Sequence, residues 1–211
     1  MIGLVSRLLQ VRAVQPSLSL APLLFNFEQC YANQHGTKPY TDCFELKLSR
    51  PFPASQANFN RYLMHFYTSP LFKIERMALH VAGHPSSDES IRGLSWTPND
   101  TIALFLLSSN RRSSNGSHFE AELSFNFSKY EGFSYHAFRV QNGVADSVMF
   151  GTAMWDASST RSYQCALTGA ASRPLSIALH RMYSRSLLSA ATTRFESAPV
   201  NAEFLMPADS T

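Results

Sequence analysis

Two histidines stand at a spacing that could hold a metal ion. His80 and His84 form an HxxxH pattern, which can place two imidazoles on one face of a helix, where they could bind zinc. The acidic residue that zinc proteases carry inside this motif is missing, and Gly83 is expected to end the helix before the second histidine. The pattern favours two ordinary histidines at a helix end, and no metal or other cofactor is predicted.

Two glutamates could supply acid–base chemistry. Glu120 and Glu122 are two residues apart in a strand-like segment, so their carboxylates would be about 7 Å apart on one face of the strand. Two carboxylates at such a distance could act as acid and base. Strand alternation places them opposite Phe119 and Phe125, so they are expected to face water.

Three cysteines, Cys30, Cys43 and Cys165, are far apart and form no CxxC motif. Neither a zinc site nor thioredoxin-type redox chemistry is therefore indicated. A nucleophilic cysteine needs a nearby base and a lowered pKa, and no sequence feature places a histidine beside Cys43 or Cys165. Both are predicted to be buried, unreactive thiols. Three reduced, partly buried thiols are favoured over one disulfide with one spare thiol, and reduced thiols fit a reducing compartment.

Charged residues in two helical segments could interact across a helix interface. Glu75 and Arg76 fall in the middle of one segment, and Arg181, Tyr183 and Arg185 fall in the last one. A cross-helix Glu–Arg pair would fix helix packing. Alternatively, Arg181 and Arg185, four residues apart, could hold a carboxylate or phosphate group. The structural interpretation is favoured.

The composition is that of a globular protein. The chain has 211 residues, of which 45% are hydrophobic and 16% charged, and its net charge is +3. No run of basic residues exceeds Arg111–Arg112, and nucleic-acid binders cluster such residues, so no nucleic-acid partner is predicted. The longest solid apolar stretch, 102–107, has the length of a strand, so no transmembrane segment is predicted either. Oligomeric state is not determined by these features.

Three regions follow from patterning. Residues 1–39 are predicted to be an N-terminal tail, with a linker at 28–40; two arginines and no acid before Glu28 are typical of a mitochondrial or plastid transit peptide, or of a poorly ordered tail on a cytoplasmic protein. Residues 40–196 are predicted to form one domain, and residues 197–211 a C-terminal tail.

The first half of the domain is predicted to be a strand followed by helices. Alternation over 44–48 predicts a strand that Pro51 and Pro53 end. Ser55 is expected to cap a first helix and Ser69 a second. A capping-box pattern at 86–89 begins a short third helix. The predicted buried face of the second helix comprises Leu71, Ile74, Ala78 and Val81.

The second half reads as consecutive strands and a final helix. Apolar or alternating segments at 102–107, 119–127, 133–140 and 148–154, separated by Asn-Gly and Glu-Gly turns, predict an antiparallel meander, with 163–167 as one further strand. Ser172-Arg-Pro begins a long helix. Its predicted buried face comprises Leu175, Leu179, Met182, Tyr183 and Leu187. The fold class is therefore α+β, with a helix pair after the first strand and a C-terminal helix packed on the sheet, where a cavity for a ligand can form.

This helix-grip order resembles the START-like superfamily of polyketide cyclases and lipid-transfer domains. Four strings, at 40–46, 68–76, 85–88 and 180–188, are similar to an uncharacterised, mostly bacterial family of that fold. They cover about a third of the chain. The middle departs from that family: Trp96 is followed by Thr-Pro-Asn-Asp, and 110–117 has the character of an insertion. The resemblance implies a START-like domain over 40–196 and no particular reaction.

Three functions remain open. The first is binding of an apolar or amphipathic small molecule or lipid in a cavity of roughly 300 Å³ or more. The second is an enzyme on the same fold, cyclase- or hydratase-like, for which His65, His136, Tyr135 and Glu75 are the candidate titratable groups. The third is a structural or assembly factor with a filled core and an exposed apolar patch. A non-enzymatic binder is favoured, and no catalytic residue is assigned. The predicted ligand-binding residues are Phe105, Phe125, Tyr135, Phe138, Phe150, Leu179, Arg181, Met182, Tyr183 and Arg185.

Overall fold

The computed structural model describes residues 2–36, 38–127, 130–156 and 173–198. Its helices are α1 (Ile2–Gln10), α2 (Pro22–His35), α3 (Gln56–Tyr67), α4 (Pro70–Val81), α5 (Asp88–Arg92) and α6 (Arg173–Ser197). Its strands are β1 (Arg12–Ala13), β2 (Tyr40–Pro53), β3 (Thr101–Ile102), β4 (Phe105–Arg112), β5 (His118–Phe127), β6 (Tyr130–Gln141) and β7 (Val144–Asp156).

The strands form one antiparallel sheet in the order β1-β2-β7-β6-β5-β4-β3. Strands β3 to β7 are a meander, and β2 pairs with the last of them, Phe44 lying opposite Phe150. Helices α3 and α4 follow β2, and α6 packs on the sheet. The predicted α+β class with a meander and a covering C-terminal helix is therefore confirmed.

Two strand limits differ from the prediction. Pro51 does not end β2, because the strand continues through a register shift between Lys47 and Phe52 to its last residue, Pro53. The segment 102–107 is divided into two strands, since Ala103 adopts a left-handed φ of 55° in the turn between them. The predicted strand at 163–167 lies outside the described residues.

The helix starts follow local chemistry. The Ser55 hydroxyl accepts a hydrogen bond from the backbone N–H of Asn58 at 3.2 Å, which confirms the predicted cap. Ser69 caps α4 in the same way, with Pro70 in the first turn. The capping box of α5 is centred on Ser87, within the predicted 86–89 pattern.

The predicted buried faces of α4 and α6 are wrong in part. Ile74 and Val81 are exposed, because α4 turns Phe72 and Arg76 inward. On α6, Leu179 is 51% and Met182 58% exposed. The side that α6 buries includes small polar residues whose hydroxyls can bond to the helix backbone, as Thr192 does to the carbonyl of Leu188 at 2.7 Å, and apolar spacing does not reveal that side. Among the described side chains of α6, the buried ones are Ser184, Leu187, Leu188, Ser189, Ala191, Thr192 and Phe195.

The sheet is covered on both faces. Helix α2 lies on the face opposite α6, where Leu24 is fully buried against a cluster that includes Tyr135 and Met149. The predicted linker over 28–40 is therefore wrong for most of its length. Glu120 is only 3% exposed and accepts a hydrogen bond from the Tyr135 hydroxyl, so the expectation that it faces water is wrong as well.

The segment before α2 also contacts the domain. Arg7 forms an ion pair with Glu196 at 2.7 Å, joining α1 to the end of α6. Strand β1 pairs with β2, and the Arg185 guanidinium donates to the carbonyl of Val11 at 3.0 Å. The N-terminal segment, predicted to be a tail, thus packs on the domain; its role in targeting stays a prediction. In the described part of the chain, no helix combines the length and apolarity needed to span a membrane.

Candidate ligand-binding site

A cavity of about 250 Å³ lies between the sheet and the helices α3, α4 and α6, and we call it the inner cavity. The sequence predicted roughly 300 Å³ or more at this interface, so the observed space is smaller. Its walls are apolar with polar groups interspersed. The lining residues are Phe66, Tyr67, Phe72, Glu75, Leu79, Leu104, Phe105, Phe125, Ser134, Phe150, Thr152, Met154, His180, Tyr183, Ser184 and Leu187.

One wall carries a carboxylate–phenol pair. The Tyr183 hydroxyl on α6 donates a 2.5 Å hydrogen bond to Oε2 of Glu75 on α4. Burial raises the pKa of Glu75 above its ordinary value, and the Tyr183 hydrogen bond and the charge of His180 partly offset that rise. The pair therefore presents a carboxyl group that is poised to exchange a proton or to accept a hydrogen bond.

A second polar pair lies beside the first. Nε2 of His180 is 3.3 Å from Oδ2 of Asp42, which is almost fully buried on β2. The Tyr40 hydroxyl donates to the same carboxylate oxygen at 2.9 Å, and the backbone N–H of Thr152 donates to Oδ1 at 3.1 Å. Asp42 is thus held by two donors, and its carboxylate lies beside the His180 ring at the edge of the inner cavity; His180 Nε2 has no hydrogen-bond partner among the described residues.

Hydroxyl groups add to the polar lining. Ser184 is 1% exposed, and its Oγ has no hydrogen-bond partner among the described residues. Tyr67 also lines the cavity, and its hydroxyl is 2.9 Å from Nε2 of His136, which does not line it. Burial lowers the pKa of His136 to about 3, so this imidazole is neutral at physiological pH. The unsatisfied Ser184 hydroxyl is available to a bound molecule.

The apolar wall depends on a close approach between two strands. Phe125 and Gly132 are partners across β5 and β6. A Cβ atom on Gly132 would be 2.5 Å from Cζ of Phe125, so only glycine lets that ring lie across the strand. The ring then packs edge-on against Phe105, with centroids 5.6 Å apart.

The predicted ligand-binding residues are divided by the structure. Four of them, Phe105, Phe125, Phe150 and Tyr183, line the inner cavity. The other six do not line it. Phe138 packs in the core against Phe195, and Tyr135 lies on the opposite face of the sheet. Three residues of α6 are exposed, namely Leu179, Arg181 and Met182, and Arg185 donates a hydrogen bond to the carbonyl of Val11. Tyr135 was misplaced because β6 is apolar on both faces, so its alternation does not identify the inner one.

The other predicted chemical groups are dispersed. Of the four candidate titratable groups for an enzyme, only Glu75 lines the inner cavity. Glu75 contacts Tyr183 and not an arginine, while Arg76 pairs with Asp88. Cys43 is buried, and burial with the nearby Asp42 raises the pKa of its thiol, whereas Cys165 lies outside the described residues. In the described part of the chain, no cluster of three potential metal ligands occurs.

Sequence reasoning missed Asp42, His180 and Ser184. Asp42 stands before the predicted first strand, and His180 is far from it in the chain. Asp42 is on β2 and the other two are on α6, so no short sequence pattern could have brought them together. Comparison of the chain with family models, curated proteins and solved structures gives no match.

Proposed function

We propose that the protein binds a small amphipathic molecule in the inner cavity. The observation that carries this proposal is a space of about 250 Å³ with an apolar wall and a polar wall. Ligand sites are commonly of about 300–1,000 Å³ and mostly apolar, with a few placed polar groups. The inner cavity is slightly smaller than that range, so its occupant is a compact molecule or one short chain.

The polar wall defines the kind of head group. Glu75 offers a carboxyl oxygen, and Ser184 offers a hydroxyl with no partner in the described residues. Both suit a ligand that carries a hydroxyl or amine, because each such group can donate to an oxygen acceptor. The rings of Phe105 and Phe150 suit an alkyl or ring body.

The test uses octanol and octylamine as probes of the full chain. Native mass spectrometry of the purified protein is expected to show a bound small molecule, and either probe is expected to raise the melting temperature. Ser184→Leu places a larger, apolar side chain in the cavity at the polar wall. It should abolish both the bound mass and the rise in melting temperature. Ala178→Leu adds the same bulk on the exposed side of α6 and should preserve them. Equal responses from the two variants, or no binding to the wild type, would overturn the proposal.

A second candidate is an enzyme that transfers protons, which the Asp42–His180 pair beside Glu75 favours. A histidine beside a carboxylate can serve as a general base, and a carboxyl whose pKa is raised can serve as a general acid. The test is deuterium incorporation next to the carbonyl of 2-heptanone in D₂O, followed by NMR. An exchange rate above that of buffer, lost in both His180→Gln and Glu75→Gln, supports catalysis; an unchanged rate removes this candidate.

A further inference from the structure

A second groove lies away from the inner cavity, between α3, the segment after α5, and the end of α6. Its volume is about 510 Å³. Unlike the inner cavity, this groove has cationic walls, and none of the described carboxylates lines it. We call it the arginine groove. Its walls include Asn60, Arg61, His65, Arg92, Leu94 and Trp96.

Positive charge in the arginine groove comes from three elements. Arg61 of α3 is 6% exposed, with its guanidinium 4.7 Å from the ring centre of Phe195. Arg92 ends α5 and is exposed. Arg194 of α6 is close enough to act on His65 together with the other two. A cleft whose walls carry one sign of charge raises the local concentration of ions of the opposite sign.

His65 gives an independent indication of a ligand. Its side chain is 8% exposed, it lines the groove, and its Nδ1 has no hydrogen-bond partner in the described part of the chain. Burial and then the charges of Arg194, Arg61 and Arg92 lower its pKa to about 4. A buried ring nitrogen without a partner is costly, and a bound group that satisfies it would remove that cost.

The walls of the arginine groove are fixed before any ligand binds. The Asn110 amide donates to Oδ1 of Asn60 at 2.9 Å and to the carbonyl of Trp96 at 2.8 Å. Gln56 donates to both asparagines at 2.8 Å. These bonds join α3 to β4 and hold Trp96 at a left-handed φ of 59°.

We propose that the arginine groove binds a phosphate group. Guanidinium groups bind phosphate through paired, charge-assisted hydrogen bonds. Arg92 of α5 presents its guanidinium at the groove, and the positive charge of Arg61, whose Nη2 donates to the carbonyl of Phe195 at 3.4 Å, adds to the attraction from α3. The neighbouring Met64, Leu94 and Trp96 would contact the organic part of the ligand. The phosphate could belong to a free small molecule or to a lipid head group, and both present the same oxygens.

Inorganic phosphate, titrated into the full chain by calorimetry, tests the proposal. Arg92→Gln is the informative variant, because Arg92 is exposed and its loss leaves the core intact. Its affinity is expected to fall about fivefold or more. Arg12→Gln removes one exposed positive charge outside the groove and should leave the affinity unchanged.

Two further measurements separate the outcomes. Phosphate is expected to raise the pKa of His65 from about 4 in an NMR titration, since a bound anion favours the imidazolium. Phosphatidylcholine vesicles with and without phosphatidic acid provide the lipid arm. Binding only to the phosphatidic acid vesicles, lost in Arg92→Gln, assigns the phosphate to a head group. Equal affinities in Arg92→Gln and Arg12→Gln, or no binding of either probe, would overturn the proposal.

Discussion

The phenol of Tyr183 donates to the carboxylate of Glu75 and thereby joins α6 to α4 at the inner cavity. Tyr183→Phe removes the donor and leaves the carboxylate half-buried, so we expect a loss of about 1–2 kcal/mol in the free energy of unfolding. In a double-mutant cycle with Glu75→Gln, a coupling of about 0.5 kcal/mol or more is expected. Urea titrations measure both, and additive effects would contradict a direct interaction.

The titration of Glu75 is expected to make the free energy of unfolding depend on pH. The folded state raises the pKa of Glu75 above its ordinary value of 4.5, chiefly through burial. A raised carboxyl pKa favours folding at low pH, and that contribution is lost as pH rises through the folded pKa. Glu75→Gln should therefore gain stability relative to the wild type as the pH rises above 4.5. A constant difference across that range would show that Glu75 titrates normally.

Acid should destabilise the protein through His136. Burial lowers the pKa of this histidine to about 3, from an ordinary value of 6.5. Below pH 6.5 the His136 imidazole becomes protonated in the unfolded chain but stays neutral in the folded state. The free energy of unfolding therefore falls as the pH falls. A loss of about 2 kcal/mol is expected between pH 6.5 and about pH 5. His136→Phe should reduce this slope in urea titrations, and the same change at exposed His80 should not.

Helix α2 is expected to contribute to stability through Leu24, which is fully buried on the outer sheet face. Leu24→Ala should cost about 2–4 kcal/mol, because it removes buried methyl groups and leaves a void. Leu18→Ala, at a residue that is 60% exposed, is the matched control and should cost about 0.5 kcal/mol or less. Equal effects in thermal unfolding would mean that α2 does not pack on the sheet in solution.

Glycine is required at position 151 because β2 and α2 both lie close to the backbone of β7 there. A Cβ atom there would be 2.6 Å from the carbonyl oxygen of Asp42 and 3.0 Å from Leu24. Gly151→Ala is therefore expected to destabilise the protein by about 1–3 kcal/mol. Gly93→Ala meets nothing closer than 3.5 Å at an ordinary φ of −82° and should be neutral or slightly stabilising. Chemical denaturation of both variants decides between these outcomes.

Local features of the fold could be predicted from the sequence, and long-range ones could not. The caps at Ser55 and Ser69 depend on neighbouring residues, and strand alternation gave the meander its order. The pairing of Asp42 with His180 depends on where β2 and α6 meet, which no short pattern encodes. Helix α2 was missed because its apolar residues are weakly segregated to one side, so it has little periodicity to detect.

The pairing of β2 with β7 has a consequence for synthesis on the ribosome. Tyr40 lies opposite Met154 in register, so the two strands are separated by about 100 residues of nascent chain. At ribosomal rates of about 5–20 residues per second, β2 emerges several seconds before its partner. During that interval the strand has an unpaired edge and apolar side chains. The nascent chain is most prone to aggregation during this interval, which is when a chaperone would be needed.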